Sequence, residues 1–320
     1  MELFKKQTNY DFVSKIPITV SVSILLCIAT LILWFVKGPN LGLDFLGGTE
    51  IEITFLQGVS IDKVRAALSQ LNVGGTEVKS VGGEKGAGQK YLIRVEKKVL
   101  SVKDTSGQEV DVGEAVVKGL KEKIGPYDEK SLGINLVGPR AGEDLRRKAT
   151  IAVVFSLVAM LIYIWVRFEV LFGIGAMLSL AHDVIVTIGF LVLTGRQFSL
   201  VTIAALLTIV GYSINDTIVI YDRIREDRGK FKSMKIGELI NLATNECLGR
   251  TILTTFTVFI VVVVLSIVTR GAIQDFAYAM LIGSITGVYS TVFIASAFVL
   301  FWRNRVEPAL KGLKKKQARA

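Results

Sequence analysis

Six stretches of this chain are each long and apolar enough to cross a bilayer, and a fold that has to dissolve in water could not hide them all. They run approximately over residues 17–36, 149–166, 170–193, 198–219, 251–268 and 276–302. In hydrocarbon every backbone N–H and C=O must find its partner within the chain, so each stretch is expected to be a helix. The first is expected to stay attached as a signal anchor. Its apolar run is too long for a cleaved leader, and Lys37-Gly38-Pro39-Asn40 offers no small-x-small cleavage site.

Lysine and arginine near the helix ends set the expected orientation. Lys5, Lys6 and Lys15 precede the first span, and Arg223, Arg225, Arg228, Lys230, Lys232, Lys235 and Arg250 crowd the connection after the fourth. More basic residues follow the sixth, whereas the short connections on the other side carry only Arg196 and Arg270. Both termini and a loop over 220–250 should therefore face the cytoplasm, with residues 37–148 outside. That outer segment holds 18 Lys and Arg against 16 Asp and Glu, so most of the net charge of +10 lies in the membrane region and its inner margin. Anionic lipid is a sufficient partner for such a margin, and nucleic acid is not needed to explain it. The tail Lys314-Lys315-Lys316 would serve equally for an acidic protein partner. Cys27 and Cys247 both fall outside 37–148, so that segment must fold on its own core without a disulfide.

The layout is one helix, the outer domain 37–148, five helices (149–302) and a basic tail (303–320). Within the domain, Thr49 to Phe55 alternate with period two, as a half-buried strand does. Ser60 is placed to cap a helix over 61–71 with Val64, Ala67 and Leu68 on one face. Strands are expected at 76–81 and 91–95, joined by a glycine-rich hairpin loop over 82–88, then a helix over 112–124 and a strand at 134–137. This β-α-β-β-α-β order predicts a ferredoxin-like α+β domain; residues 101–111 fit no clear element. The glycine-rich loop is not a phosphate-binding loop, because Gly88 is followed by Gln89-Lys90 and a strand instead of Lys-Ser/Thr and a helix. With no nucleotide motif, the expected energy source is an ion gradient or an ATPase partner, and no cofactor or metal is expected.

The residue that demands explanation is Asp216, inside the apolar fourth span. A carboxylate there costs at least ~2.5–3.5 kcal/mol on insertion scales. Thr208, Tyr212, Asn215 and Asp216 are expected to share a helical face, and on the fifth helix Arg250, Thr254 and Thr257 share another. An Asp216–Arg250 pair across the bundle would be broken by proton uptake, and one charge crossing 100 mV gains ~2.3 kcal/mol, comparable with the insertion cost. The alternative reading is that Asp216 only hydrogen-bonds neighbouring helices together. His182-Asp183 in the third span is a second polar pair, with the chain's only histidine, and is read as either a relay or a packing contact. Adjacent helical residues point about 100° apart, so these two need not touch. Arg167 and Glu169 flank the turn between the second and third spans as interfacial anchors. Asp222-Arg223-Ile224-Arg225-Glu226 opens the loop, which has room for a short surface helix over 236–247. No nucleophile–base arrangement argues for an enzyme.

Several segments resemble the SecF family, within the resistance-nodulation-division group of gradient-driven transporters. Gly42-Leu43-Asp44-Phe45-Leu46-Gly47-Gly48 and Val137-Gly138-Pro139-Arg140-Ala141-Gly142 are similar to signatures flanking the outer domain. His182-Asp183, the run from Gly211 to Glu226, and Arg250-Thr251-Ile252-Leu253-Thr254-Thr255 carry the rest. The resemblance implies that Asp216 and Arg250 conduct protons and that six helices form half of a twelve-helix unit completed by SecD. It also implies a role beside the SecYEG channel, alongside other accessory membrane subunits, after SecA and ATP have begun translocation of a preprotein. A half-exporter of small molecules or lipids with the same membrane core, and a passive scaffold, are the alternatives.

Overall fold

The computed structural model describes residues 8–71, 73, 76–84, 87–96, 101–103 and 109–308. Lys5, Lys6, the loop tip 85–86 and the tail 309–320 lie outside the described residues. Helix α1 (Ile16–Val36) is followed by strand β1 (Gly48–Thr54), helix α2 (Ile61–Gln70) and strands β2 (Thr76–Glu84) and β3 (Ala87–Glu96). Strands β4 (Ser101–Lys103) and β5 (Glu109–Asp111), helix α3 (Val112–Lys123) and strand β6 (Gly133–Val137) complete the mixed segment. Four long helices follow: α4 (Pro139–Arg167), α5 (Val170–Thr194), α6 (Leu200–Lys230) and α7 (Ile236–Val268). The last helix is composite, with α8 (Ala272–Ser290), a π-helical turn (Thr291–Ala295), α9 (Ser296–Phe301) and a second π turn (Trp302–Val306). Six of these helices are long and apolar enough to cross a membrane, so this is a multi-pass membrane protein.

The chain divides into two compact units, Leu41–Ile151 and the helical remainder. In the first, the sheet order is β2-β3-β1-β6, every neighbour antiparallel. This is the ferredoxin-like arrangement expected from the alternating pattern. Ile51 lies opposite Ile93 and Ile134, and Ile53 opposite Tyr91. The side chains of Ile51, Ile53, Tyr91 and Ile93 meet Val64 and Leu68 of α2 and Val116 and Leu120 of α3 in a fully buried core. Ser60 caps α2 by accepting from the Lys63 amide, as the sequence indicated. The other sheet face carries charge: Arg94 pairs with Glu50 at 3.0 Å and Lys90 with Glu52 at 2.6 Å. Tyr91 is buried with its hydroxyl donating to the Val59 carbonyl, and burial pushes the phenol above its ordinary pKa. Gly47 and Gly48 adopt φ of 69° and 126°, conformations open in practice to glycine alone, and the amide of Gly47 lies where a Cβ on Gly142 would touch it.

Three expectations about this unit need correction. The glycine-rich 82–88 is not a free loop, because β2 and β3 run on through it to Glu84 and from Ala87. Glycine has no side chain to prevent ladder pairing, and the strands absorb the irregularity as register shifts between Ser80 and Glu84. Residues 101–111 hold the small β4–β5 pair. The helix that carries the second span begins at Pro139, ten residues ahead of the apolar run, because a helix continues through polar residues outside hydrocarbon.

In the helical unit, close crossings rest on small residues. Gly283 of α8 sits against Ile209 of α6, Gly287 against Ser213, and Gly189 of α5 against Thr30 of α1. The expected loop over 220–250, with its separate surface helix at 236–247, is also corrected: α6 extends to Lys230 and α7 starts at Ile236, leaving only 231–235 between them. Their polar ends are tied by side chains. Arg223 pairs with Glu226, Asp227 and Glu246, and Arg167 with Asp222 at 3.1 Å. The start of α7 also clasps the segment ahead of α1. Asn245 accepts from the Tyr10 amide and donates to its carbonyl, both at 2.8 Å, and Asn241 accepts from the Phe12 and Val13 amides. Asn241 donates to Asp11 as well, which holds that exposed carboxyl below its ordinary pKa.

Candidate functional site

The polar residues of the bundle fall into two clusters. The first centres on Asp183 of α5, which is fully buried. Its Oδ2 accepts from Ser213 of α6 at 2.6 Å and from Ser290 at the end of α8 at 2.7 Å. Its Oδ1 lies 3.1 Å from His182 Nδ1, so the adjacent pair does touch despite the angle between neighbouring helical positions. Ser179 bonds Ser290 at 2.8 Å, and Thr217 and Thr291 meet at 2.9 Å one turn further along. The His182 ring lies 5.8 Å from that of Tyr289, whose hydroxyl bonds the Thr19 carbonyl and Ser23 of α1. Asp183 thus fastens α5, α6 and α8 with three donors, about as many as a buried carboxylate can use.

Asp216 has the opposite surroundings. It is 4% exposed, and among the described residues no hydrogen bond or ion pair reaches it. Arg250 of α7 is the cation that acts on it electrostatically, from beyond ion-pair distance. The expected face-to-face pair is therefore a longer-range interaction, with Arg250 turned outward and exposed. The expected polar stripe on α6 is also divided: Tyr212 is half-buried and donates to Thr255 at 3.0 Å, whereas Thr208 and Asn215 are exposed. Thr254 and Thr257 spend their hydroxyls on α7's own carbonyls. Glu169 and Arg167 do anchor the α4–α5 turn, Glu169 pairing with Arg303 at 2.9 Å.

Sequence reasoning picked out Asp183, His182, Asp216 and Arg250 but passed over Ser213, Ser290, Thr217 and Thr291. A signal for two of them existed: Ser213 and Thr217, one turn apart, flank Asp216 within an otherwise apolar span. Chemically the clusters differ in what a proton would change. At Asp183 it would have to displace an existing donor. At Asp216 it would cancel a charge that Arg250 and Tyr212 sense without any hydrogen bond to it.

Comparison with known proteins follows this geometry. Residues 116–305 match the family model of the protein export membrane protein SecD/SecF, C-terminal, and residues 32–59 match that of the SecD/SecF GG motif, which contains Gly47-Gly48. The chain is 40% identical to the protein translocase subunit SecF of Magnetococcus marinus, over 94% of each. It is 37% identical to SecF of Calditerrivibrio nitroreducens over 93% of this chain and 96% of that one. The crystal structure of SecDF, a translocon-associated membrane protein from Thermus thermophilus, superposes with a TM-score of 0.82 at 31% identity, over 95% of this chain but only 40% of that one. SecDF in its super-membrane-facing form gives a TM-score of 0.69, again at 31% identity. Matched nearly end to end by these relatives, and with the order of spans and α+β domain they share, the chain belongs to the SecF family of protein translocase subunits.

Proposed function

We propose that the protein couples the proton-motive force to late steps of preprotein export, with Asp216 as the proton carrier and Arg250 as the charge that senses it. The observation behind this reading is the contrast between two buried carboxylates. Asp183 is saturated with donors, and Asp216 has none within hydrogen-bond distance. A buried carboxylate without donors gains most from neutralisation, so a proton is the ligand that best suits Asp216. Its release restores attraction to Arg250 and draws α6 and α7 together; its uptake removes that attraction. The role is one of transport, not catalysis, and the gradient supplies the energy without a bound cofactor. His182, Asp183, Tyr212, Asn215 and Thr254 are packing or relay residues around this step.

The exposed Thr208 and Asn215 on α6 suit a SecD chain completing the bundle. In this reading the complex works beside SecYEG on preproteins that SecA has started. In this reading the basic margin faces the cytoplasm, with both termini and residues 231–235 on that side and residues 37–148 outside. A cysteine at position 90 should then react with an impermeant reagent in intact cells.

The test is preprotein translocation into vesicles with ATP, with and without an imposed proton gradient. Asp216→Asn and Arg250→Met should assemble with the partner, keep ATP-driven translocation and lose the gradient's stimulation. Undiminished stimulation in an assembled Asp216→Asn complex would leave the passive scaffold as the better reading.

A further inference from the structure

Three of the buried polar atoms that lack a hydrogen-bond partner among the described residues lie along one seam. Thr244 Oγ1 and Thr251 Oγ1 are on α7, and Asp227 Oδ2 is on α6; each residue is 1% exposed. Thr244, Cys247 and Thr251 follow at helical spacing and form one stripe. The Cys247 thiol lies 4.0 Å from the Val219 carbonyl, which sets that stripe against α6. On α6, Asp216, Ile220, Ile224 and Asp227 form the corresponding buried stripe. Asp216, within reach of Arg250, marks one end. Asp227, 3.4 Å from the Arg223 guanidinium, marks the other, beside Glu226 and Glu246.

A threonine in an apolar helix normally donates back to its own backbone. Thr254 and Thr257 of the same helix do so, at 2.9 and 2.8 Å. Thr244 and Thr251 do not. A buried hydroxyl without a partner is costly, and valine would fill the same space without that cost. Buried polar groups are otherwise almost always satisfied by protein or by water. Water is small enough to enter between packed helices where two or more polar groups receive it.

We propose that the α6–α7 seam is a hydrated proton path between Asp216 and Asp227, with Thr251 and Thr244 holding the waters. The path rests on Asp216 being the proton carrier. A proton leaves the Asp216 carboxyl for a water held at Thr251. It passes by exchange of O–H bonds through further waters along the roughly 10 Å of helix to one held at Thr244, and then to the Asp227 carboxylate or to solvent at the 231–235 end. Asp216 is left ionised opposite Arg250, and each relay water, having accepted one proton and passed on another, ends neutral with two. Cys247 lies along the seam, Tyr212 and Arg250 stand near Asp216 at one end, and Arg223, Glu226 and Glu246 stand at the other.

The test uses the complex with its SecD-type partner in vesicles. Thr244→Val with Thr251→Val should preserve ATP-driven translocation and abolish most of the gradient-driven component, whereas serine at both positions should preserve it. Full gradient stimulation in the valine complex, with a raised thermal midpoint, would mean a dry seam and overturn the path. Should the valine complex not assemble, Cys247 decides. With Cys27→Ser it is the chain's only thiol, and a small charged methanethiosulfonate should modify it from the 231–235 side. Protection of Cys247 under conditions that label a cysteine at position 232 would overturn the path. Retained stimulation in Asp216→Asn would instead refute the carrier assignment, whatever Cys247 does.

Discussion

Replacing each of the two buried aspartates by asparagine should change stability in opposite directions. Asp183 accepts from Ser213, Ser290 and His182. Hydrogen bonds to a charged group contribute about 1.5–3 kcal/mol each. Asparagine keeps one acceptor oxygen and puts an NH2 where the other was. If the NH2 faces the serines, two hydroxyls lose their acceptor; if it faces His182, the imidazole must change tautomer. At least one buried donor is left unsatisfied, and Asp183→Asn should lose roughly 2–4 kcal/mol. Asp216 has no donor to lose. An amide is cheaper to bury than an unpartnered carboxylate, so Asp216→Asn should be neutral or stabilising. The assay is equilibrium unfolding of the partnered complex in lipid nanodiscs, near neutral pH. An Asp183→Asn complex as stable as the parent, or an Asp216→Asn complex as damaged as Asp183→Asn, would refute the assignment of pin and carrier.

Other perturbations are equally direct. Tyr91→Phe leaves the Val59 carbonyl without its donor and should cost about 1–2 kcal/mol in full-chain unfolding. Because the folded phenol has the raised pKa, its contribution is intact below the unfolded value near pH 10 and is lost as pH rises beyond it, so the parent should lose alkaline stability faster than Tyr91→Phe. Gly283→Val forces a Cβ onto the Ile209 side chain and should destabilise the α6–α8 crossing by about 1–3 kcal/mol, with partial rescue by Ile209→Ala in the same unfolding assay. Asn245→Leu removes both bonds to Tyr10, so hydrogen exchange at residues 8–13 should rise while α7 stays protected. In the parent the same segment should loosen on acidification, because Asp11 has the depressed pKa and its contribution falls away once the carboxyl is protonated.

The six spans were legible because apolar length is a local property, and the β-α-β-β-α-β order was legible because alternation is too. Helix ends were not, where the helix outlasts the hydrocarbon. Arg223 to Lys230 is polar in sequence yet helical, since ion pairs support it there, and the helix expected over 236–247 runs on without a break into the fifth span. Asp216 announced itself by its setting alone. Its distance from Arg250 did not, because a shared helical face says nothing about where the neighbouring helix crosses. The contacts of Asp183 lie 30 and 107 residues away in sequence, so their hydroxyls look like ordinary small residues until the helices are packed.

The π turn at Thr291–Ala295 separates the length of the last helix from the direction its faces point. In a regular helix one added residue turns everything beyond it by about 100°. A π turn takes up such a residue locally. Ser290 and Thr291 therefore keep their places on α5 and α6 while Val299, further along, stays buried. Losing a single residue between positions 292 and 295 would return this stretch to a regular helix without turning either face outward.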